Sequence, residues 1–308
     1  MKIMFMGTPD FAAVTLRELC KKGYNVAGVV SQPDKPKGRG MNIEPTPVKK
    51  VAMEFSIPTF QPDSLKNGEL RPFLEEINPD IIIVVAYGKI LPEYVLNYPK
   101  YGCVNGHASI LPEYRGAAPI QRVIIDGKKE TGVTAMYMEK GLDTGNIILV
   151  EKVKIEDDDT AETLHDKLAV VGAEVLIKTI ERFKGGDLSS QKQDDSRATY
   201  AAMLTKAEGE IDWSKSNTEV YNLIRGMDSW PMAYTYYKDK RFVPYECSKK
   251  DVKGAPGEVV HADKDGLVVA CGEGGIYIGA VKFDGKKKMS VKDYLVGNKI
   301  EKGTILGR

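Results

Sequence analysis

At 308 residues the chain exceeds the roughly 250 to 300 residues at which a single hydrophobic core stops growing, so two domains are expected. Its 44 basic and 43 acidic side chains give a formal charge of +1, which excludes a globally basic nucleic-acid binder and leaves any RNA contact to local patches. Four widely spaced cysteines without a C-x-x-C pair argue against a zinc site and against a disulfide-dense secreted fold, and predict reduced, mostly buried thiols.

Along the chain, Lys2 to Met6 is a short apolar run broken by Gly7-Thr8-Pro9, after which Asp10 is placed to cap a helix reaching about Lys22. The Gly-Thr-Pro turn is no dinucleotide fingerprint, because G-x-G-x-x-G is absent and Pro9 stiffens it. Strands are predicted from Asn25 to Val30, Ile81 to Ala86, Gly102 to Asn105 and Thr131 to Tyr137. The second of these is apolar at every position, as suits a central parallel strand covered on both faces. Pro47 to Phe55 reads as a helix with Thr46 as its cap, and Thr160 to Lys184 as a long amphipathic helix. Alternating β and α elements predict an α/β fold, a doubly wound and mostly parallel sheet.

Gly185 to Ala198 lacks large apolar residues and reads as an exposed linker. The predicted boundaries are 1–188 for the first domain, 189–206 for the linker and 207–308 for the second domain. Beyond a helix from Asn217 to Met227, short strands at Ala233 to Tyr237, Gly257 to His261, Gly266 to Cys271 and Gly275 to Val281 suggest a small β-barrel. No apolar run approaches the ~18 residues needed to span a bilayer, and the N-terminus lacks the apolar stretch and small-residue cleavage site of a signal peptide. A cytoplasmic protein without a membrane span is expected, and nothing demands more than a monomer.

The segment Asn105-Gly106-His107-Ala108-Ser109-Ile110-Leu111-Pro112 and the turn Gly141-Leu142-Asp143-Thr144-Gly145 bring an amide, an imidazole and a carboxylate to strand ends. Asn and His donate to an oxygen that gains negative charge, and Asp orients an imidazole and accepts a proton through water, a set suited to acyl transfer. A single His is more often a packed structural residue, and an Asp beside Gly more often caps a turn. Asn105 and His107, two apart on an extended segment, face the same side, which favours function. Ser109 lacks a G-x-S-x-G elbow and is not read as a nucleophile.

Asn-x-His-x-Ser-x-Leu-Pro, followed by Tyr114-Arg115-Gly116-Ala117-Ala118-Pro119 and Gly-Leu-Asp-Thr-Gly, resembles the formyltransferase family that uses 10-formyltetrahydrofolate. Met6-Gly7-Thr8-Pro9-Asp10-Phe11 and Gln32-Pro33-Asp34-Lys35-Pro36-Lys37-Gly38-Arg39-Gly40 extend the resemblance, which runs with specific motifs to about Trp213 and more loosely through Trp230-Pro231 to the C-terminus. Ile110 stands where the family usually has Leu. The resemblance implies a Rossmann-like formyltransferase domain and an OB-like, tRNA-binding barrel. It also implies that the formyl group of 10-formyltetrahydrofolate passes to the α-amino group of methionyl initiator tRNA in translation initiation, without a metal. Asn105 and His107 would hold the oxyanion and Asp143 would relay the proton. Tyr87, Gly88, Ile90, Leu91, Ser109, Ile110, Leu111 and Pro112, on two strand-exit segments, would bind the folate.

Lys35, Lys37 and Arg39 lie among glycines and prolines without an apolar anchor. Their residues fit a solvated loop as well as a cationic arm that meets RNA, and the resemblance favours the arm. Lys286 and Lys287 are likewise either a solvated charge run or a phosphate-contacting edge. Two rivals remain: a formyltransferase acting on a small amine such as an amino-sugar nucleotide, and a non-catalytic RNA-binding protein.

Overall fold

The structure, a computed structural model, describes residues 1–37 and 42–307. Strands β1 (Ile3–Gly7) and β2 (Val26–Val30) flank helix α1 (Asp10–Lys21). An antiparallel ribbon of β3 (Lys35–Lys37) and β4 (Asn42–Glu44) precedes α2 (Pro47–Glu54). Then follow β5 (Thr59–Phe60), α3 (Arg71–Ile77), β6 (Ile81–Val85), α4 (Glu93–Leu96) and β7 (Cys103–His107). The chain continues through β8 (Arg115–Gly116), α5 (Pro119–Ile125), β9 (Glu130–Tyr137), β10 (Ile147–Lys154), α6 (Ala161–Lys184) and β11 (Tyr200–Ala201).

A seven-stranded sheet runs in the order β10-β9-β7-β6-β1-β2-β5. The pairs among β7, β6, β1, β2 and β5 are parallel, and β9 and β10 add an antiparallel edge. Every residue of β1 and β6 is buried, as their apolar runs require when both sheet faces are covered. Strand order reverses between β1 and β6, which opens a crevice beyond their carboxyl ends. Thr8, Tyr87 and His107 stand there, and Thr8 Oγ1 and Gln32 Nε2 both donate to the Tyr87 carbonyl, at 3.2 and 2.8 Å.

Helix α2 starts as its sequence predicts: Pro47 occupies the first turn and the Thr46 hydroxyl accepts from Lys49 N at 3.2 Å. Asp10 does not cap α1. The cap position belongs to the extended Pro9, and Asp10 lies in the first turn, where its charge still favours the positive end of the helix.

The chain divides into two compact units. The first comprises Met1–Pro119, Glu130–Lys154 and His165–Ala201, and the second Ile120–Lys129, Ile155–Leu164 and Ala202–Arg308. Residues 189–201, read from composition as part of a linker, pair within the first unit. Gln191 exchanges two 2.8 Å backbone hydrogen bonds with Ile147, and β11 runs parallel to β8.

In the second unit a capping box of Ser216 and Glu219 starts α7 (Asn217–Gly226). There follow β12 (Thr235–Tyr237), β13 (Lys240–Lys250), β14 (Val259–Asp263), β15 (Gly266–Ala270), β16 (Gly275–Phe283), β17 (Met289–Ser290) and α8 (Val291–Gly297). The antiparallel sheet has the order β12-β13-β16-β15-β14, with β17 on β16. The C-terminal segment bonds to both ends of this order: Val259 N to Thr304 O and Leu306 N to Gly257 O at 2.8 Å, and Gly307 N to Tyr236 O at 2.9 Å. Backbone groups at both edges are thereby covered, and the sheet curls into the OB-like form.

Candidate active site

Strand β7 lies between β6 and β9, with Asn105 level with Val84 on one side and Met136 on the other. A Cβ on Gly106 would stand 3.0 Å from Leu176 Cδ1, so α6 covers that face. By the alternation of a strand, Asn105 and His107 face the opposite side together. No hydrogen bond among the described residues engages the half-buried Asn105 side chain.

His107 is 7% exposed, and its Nε2 lies 2.9 Å from the Tyr114 carbonyl. A carbonyl only accepts, so Nε2 carries a proton and Nδ1 is the nitrogen turned towards Asp143, whose Oδ2 is 3.7 Å away. Asp143 Oδ2 also accepts from Gly116 N at 2.9 Å. Asp143 has φ of 52°, a left-handed conformation that Asp tolerates better than most residues. The turn closes against β9 so tightly that a Cβ on Gly145 would sit 1.8 Å from Tyr137 O, which explains the glycine that ends the motif.

The two segments expected to bind folate differ in what they leave available. Tyr87 is buried, and its hydroxyl has no hydrogen-bond partner among the described residues; burial pushes its phenol up to about 12, so it stays protonated. Leu91 is buried, Ile90 is 90% exposed, and Gly88 has φ of 82°. The other segment uses its polar groups internally. Ser109 N donates to His107 O at 2.9 Å, Ser109 Oγ to Glu113 O at 2.7 Å, and Thr134 Oγ1 accepts from Leu111 N at 3.2 Å while donating to Ser109 O at 2.6 Å. The backbone of Ser109 and Leu111 is therefore less open to a ligand than the Gly and Pro content suggests. Ile110 and Pro112 are half-buried.

Residues 1–180 match the formyl transferase family model, and residues 203–299 match the formyl transferase C-terminal domain. The chain belongs to the formyltransferase family. It is 49% identical, over 99% of its length and 100% of the relative's, to the methionyl-tRNA formyltransferase of Caldanaerobacter subterraneus subsp. tengcongensis. Among solved structures it resembles the N-formyltransferase from Helicobacter canadensis in complex with folinic acid and dTDP-3-aminofucose, with a TM-score of 0.69 and 19% identity over 90% of this chain and 98% of that one. It also resembles HypX from Aquifex aeolicus in complex with tetrahydrofolic acid, with a TM-score of 0.65 and 16% identity, covering 96% of this chain and 47% of the longer one. Likeness at these identities establishes the fold.

Within this formyltransferase fold the cationic residues occupy two places. Lys35 is exposed on β3, paired opposite Glu44, and Lys37 ends the same strand; Arg39 lies outside the described residues. In the second unit Lys286 and Lys287 are exposed between β16 and β17, and Lys288 pairs with Glu246 at 2.9 Å. Among the described residues no cluster of His, Cys, Asp and Glu has the arrangement of a metal site, and no helix is long and apolar enough to cross a membrane. All four cysteines are free thiols.

Two buried polar residues beside this site have a role that residue type and spacing do not reveal. Arg115, 2% exposed, directs Nε and Nη2 onto Gln193 Oε1 at 3.1 and 2.7 Å, and Gln193, 5% exposed, donates to the carbonyls of Asp143 and Gly145. Arg115 lies within the Tyr114-Arg115-Gly116-Ala117-Ala118-Pro119 motif. Gln193 sits in polar, aperiodic sequence that carries no local signal of burial.

Proposed function

We propose that this formyltransferase moves the formyl group of 10-formyltetrahydrofolate to the α-amino group of methionyl initiator tRNA. The observation that carries the reading is the convergence of His107 and Asp143 at the strand that also bears Asn105, whose side chain no described residue engages, in a chain similar over 99% of its length to a methionyl-tRNA formyltransferase.

The amine nitrogen attacks the formyl carbon and the carbonyl oxygen becomes an oxyanion. Asn105 donates to that oxygen from its side-chain amide. His107 donates from Nδ1; because Nε2–H is committed to Tyr114, this requires the imidazolium form, with Asp143 as its countercharge. Preorganised donors of this kind are worth about 3 to 4 kcal/mol each. A water bound to Asp143 takes the proton that the amine loses, and N10 of the folate receives one as the C–N10 bond breaks. The free amine is itself nucleophilic, so no covalent enzyme intermediate is needed.

Tyr87, Gly88, Ile90 and Leu91, with Ser109, Ile110, Leu111 and Pro112, hold the folate in this reading. In this reading the exposed Gly88 and Ile90 meet the ligand, while the Tyr87 ring, packed in the core, supports the segment from beneath. Lys35, Lys37, Arg39, Lys286 and Lys287 contact tRNA phosphates, and the enzyme acts as a cytoplasmic monomer. The test is transfer of labelled formyl from 10-formyltetrahydrofolate, comparing methionyl initiator tRNA with an amino-sugar nucleotide and free methionine. Labelling confined to the tRNA supports the reading; labelling of a small amine alone overturns it.

A further inference from the structure

We infer that Gln193 is a positioning residue for Asp143, with its amide set by Arg115; the inference rests on the proposed role of Asp143 in formyl transfer. Arginine has donors and no acceptor, so the group facing Arg115 must be Gln193 Oε1, and Nε2 is thereby turned onto the turn that carries Asp143. Both protons of that amide are spent there, on Asp143 O at 2.9 Å and Gly145 O at 2.7 Å. The second Arg115 contact, Nη2 to Asp195 Oδ1 at 2.7 Å, comes from the same 191–201 segment.

That segment grips the site from two directions. Near its start, Gln191 bonds to Ile147 just beyond the turn. Towards its end, Thr199 Oγ1 accepts from Tyr114 N at 2.8 Å and Thr199 O from Arg115 N at 2.9 Å. Tyr114 and Gly116 are the residues whose backbone holds His107 Nε2 and Asp143 Oδ2. Both groups that face each other across 3.7 Å are therefore referenced to one stretch of chain. Asp143 sits in a left-handed conformation that the backbone does not favour by itself, so the donors on its carbonyl and on Gly145 hold it where the carboxylate faces the imidazole.

The test uses the full-length protein with Gln193→Glu, which keeps an acceptor for Arg115 but removes both donors to the turn, and Gln193→Met, which fills similar volume without polar atoms. Expected in each is a kcat for methionyl-tRNA lowered about 10- to 100-fold, the scale of an ~1 Å misplacement, with KM for the folate donor changed less than about 3-fold. Amide exchange at residues 141–146 becomes faster. In an Asp143→Asn background the same substitutions cost less than about 2-fold more, because they act through the carboxylate already removed. Wild-type kcat and exchange in Gln193→Glu, or losses that multiply with Asp143→Asn, would overturn the assignment; so would failure of both variants to fold, which makes Gln193 a stability residue. If wild type leaves methionyl-tRNA unmodified while turn exchange still rises in the variants, the functional reading fails and the positioning stands.

Discussion

His107 Nδ1 and Asp143 Oδ2 lie 3.7 Å apart, beyond direct hydrogen bonding but spaced so that one water off the line between them reaches both. In the proposed mechanism that water carries the proton released by the attacking amine, a role that a carboxylate in direct contact with the ring would leave no room for. His107→Ala, Asp143→Asn and Asn105→Ala are each expected to lower kcat by about 10²- to 10⁴-fold. Asn at position 143 keeps an acceptor for Gly116 N, so its melting temperature stays near wild type. Steady-state kinetics and thermal melting of the three variants check this, and undiminished turnover in any one removes that residue from the chemistry.

Tyr87 gives a prediction that separates stability from ligand binding. No described residue offers an acceptor to its buried hydroxyl, which costs about 1 to 3 kcal/mol of desolvation. Tyr87→Phe is expected to leave the melting temperature of the ligand-free protein unchanged or raise it by a few degrees, and to leave binding of a folate analogue unchanged, because the hydroxyl is sealed within the core. Differential scanning calorimetry with and without the analogue measures both; a lower melting temperature of the ligand-free protein contradicts the reading.

Asp34 anchors the base of the β3–β4 ribbon. Its carboxylate accepts from Lys49 Nζ at 2.5 Å, Gln61 Nε2 at 2.7 Å and Thr46 N at 3.3 Å. Burial acts to raise its pKa, but the hydrogen bonds from Lys49, Gln61 and Thr46 outweigh it, and the group titrates below the ordinary carboxylate range. A lowered folded-state value contributes stability that is full above the unfolded value of ~3.9 and is lost as pH falls through the folded one. Asp34→Asn should therefore melt below wild type at neutral pH, with the difference shrinking below about pH 4. A difference independent of pH contradicts the account.

Much of this was legible in the sequence because local rules and tertiary structure agree there. The all-apolar Ile81 to Val85 became the central β6, Thr46-Pro47 opened α2, and Asn-x-His lay on one strand face. Strand β13 was not legible: Pro244 lies in its interior, both ends are basic, and its outer positions are exposed, so neither composition nor alternation marks it. Gln193 was hidden for a related reason. Its burial is fixed by Arg115 and by two carbonyls about fifty residues away, and such contacts leave no periodicity in the surrounding polar stretch.

The cationic residues predict salt-dependent tRNA binding. Replacing Lys286 and Lys287 together by Gln should reduce the slope of log affinity against log salt by about 1 to 2 and weaken binding across tRNA sequences alike. Arg39→Leu is expected to lower kcat/KM for methionyl-tRNA about 10-fold or more, with Arg39→Lys recovering only part, since lysine lacks the planar fork. Binding of a folate analogue should not change. Unaltered salt slopes and kinetics would make these residues solvated surface.

The most direct measurement is a single-turnover reaction of the purified protein with 10-formyltetrahydrofolate and methionyl initiator tRNA, followed by ester hydrolysis and mass analysis of the released amino acid. N-formylmethionine is expected from the wild type, formed far more slowly by Asp143→Asn. Release of unmodified methionine by a wild-type protein that formylates a small amine under the same conditions would contradict it.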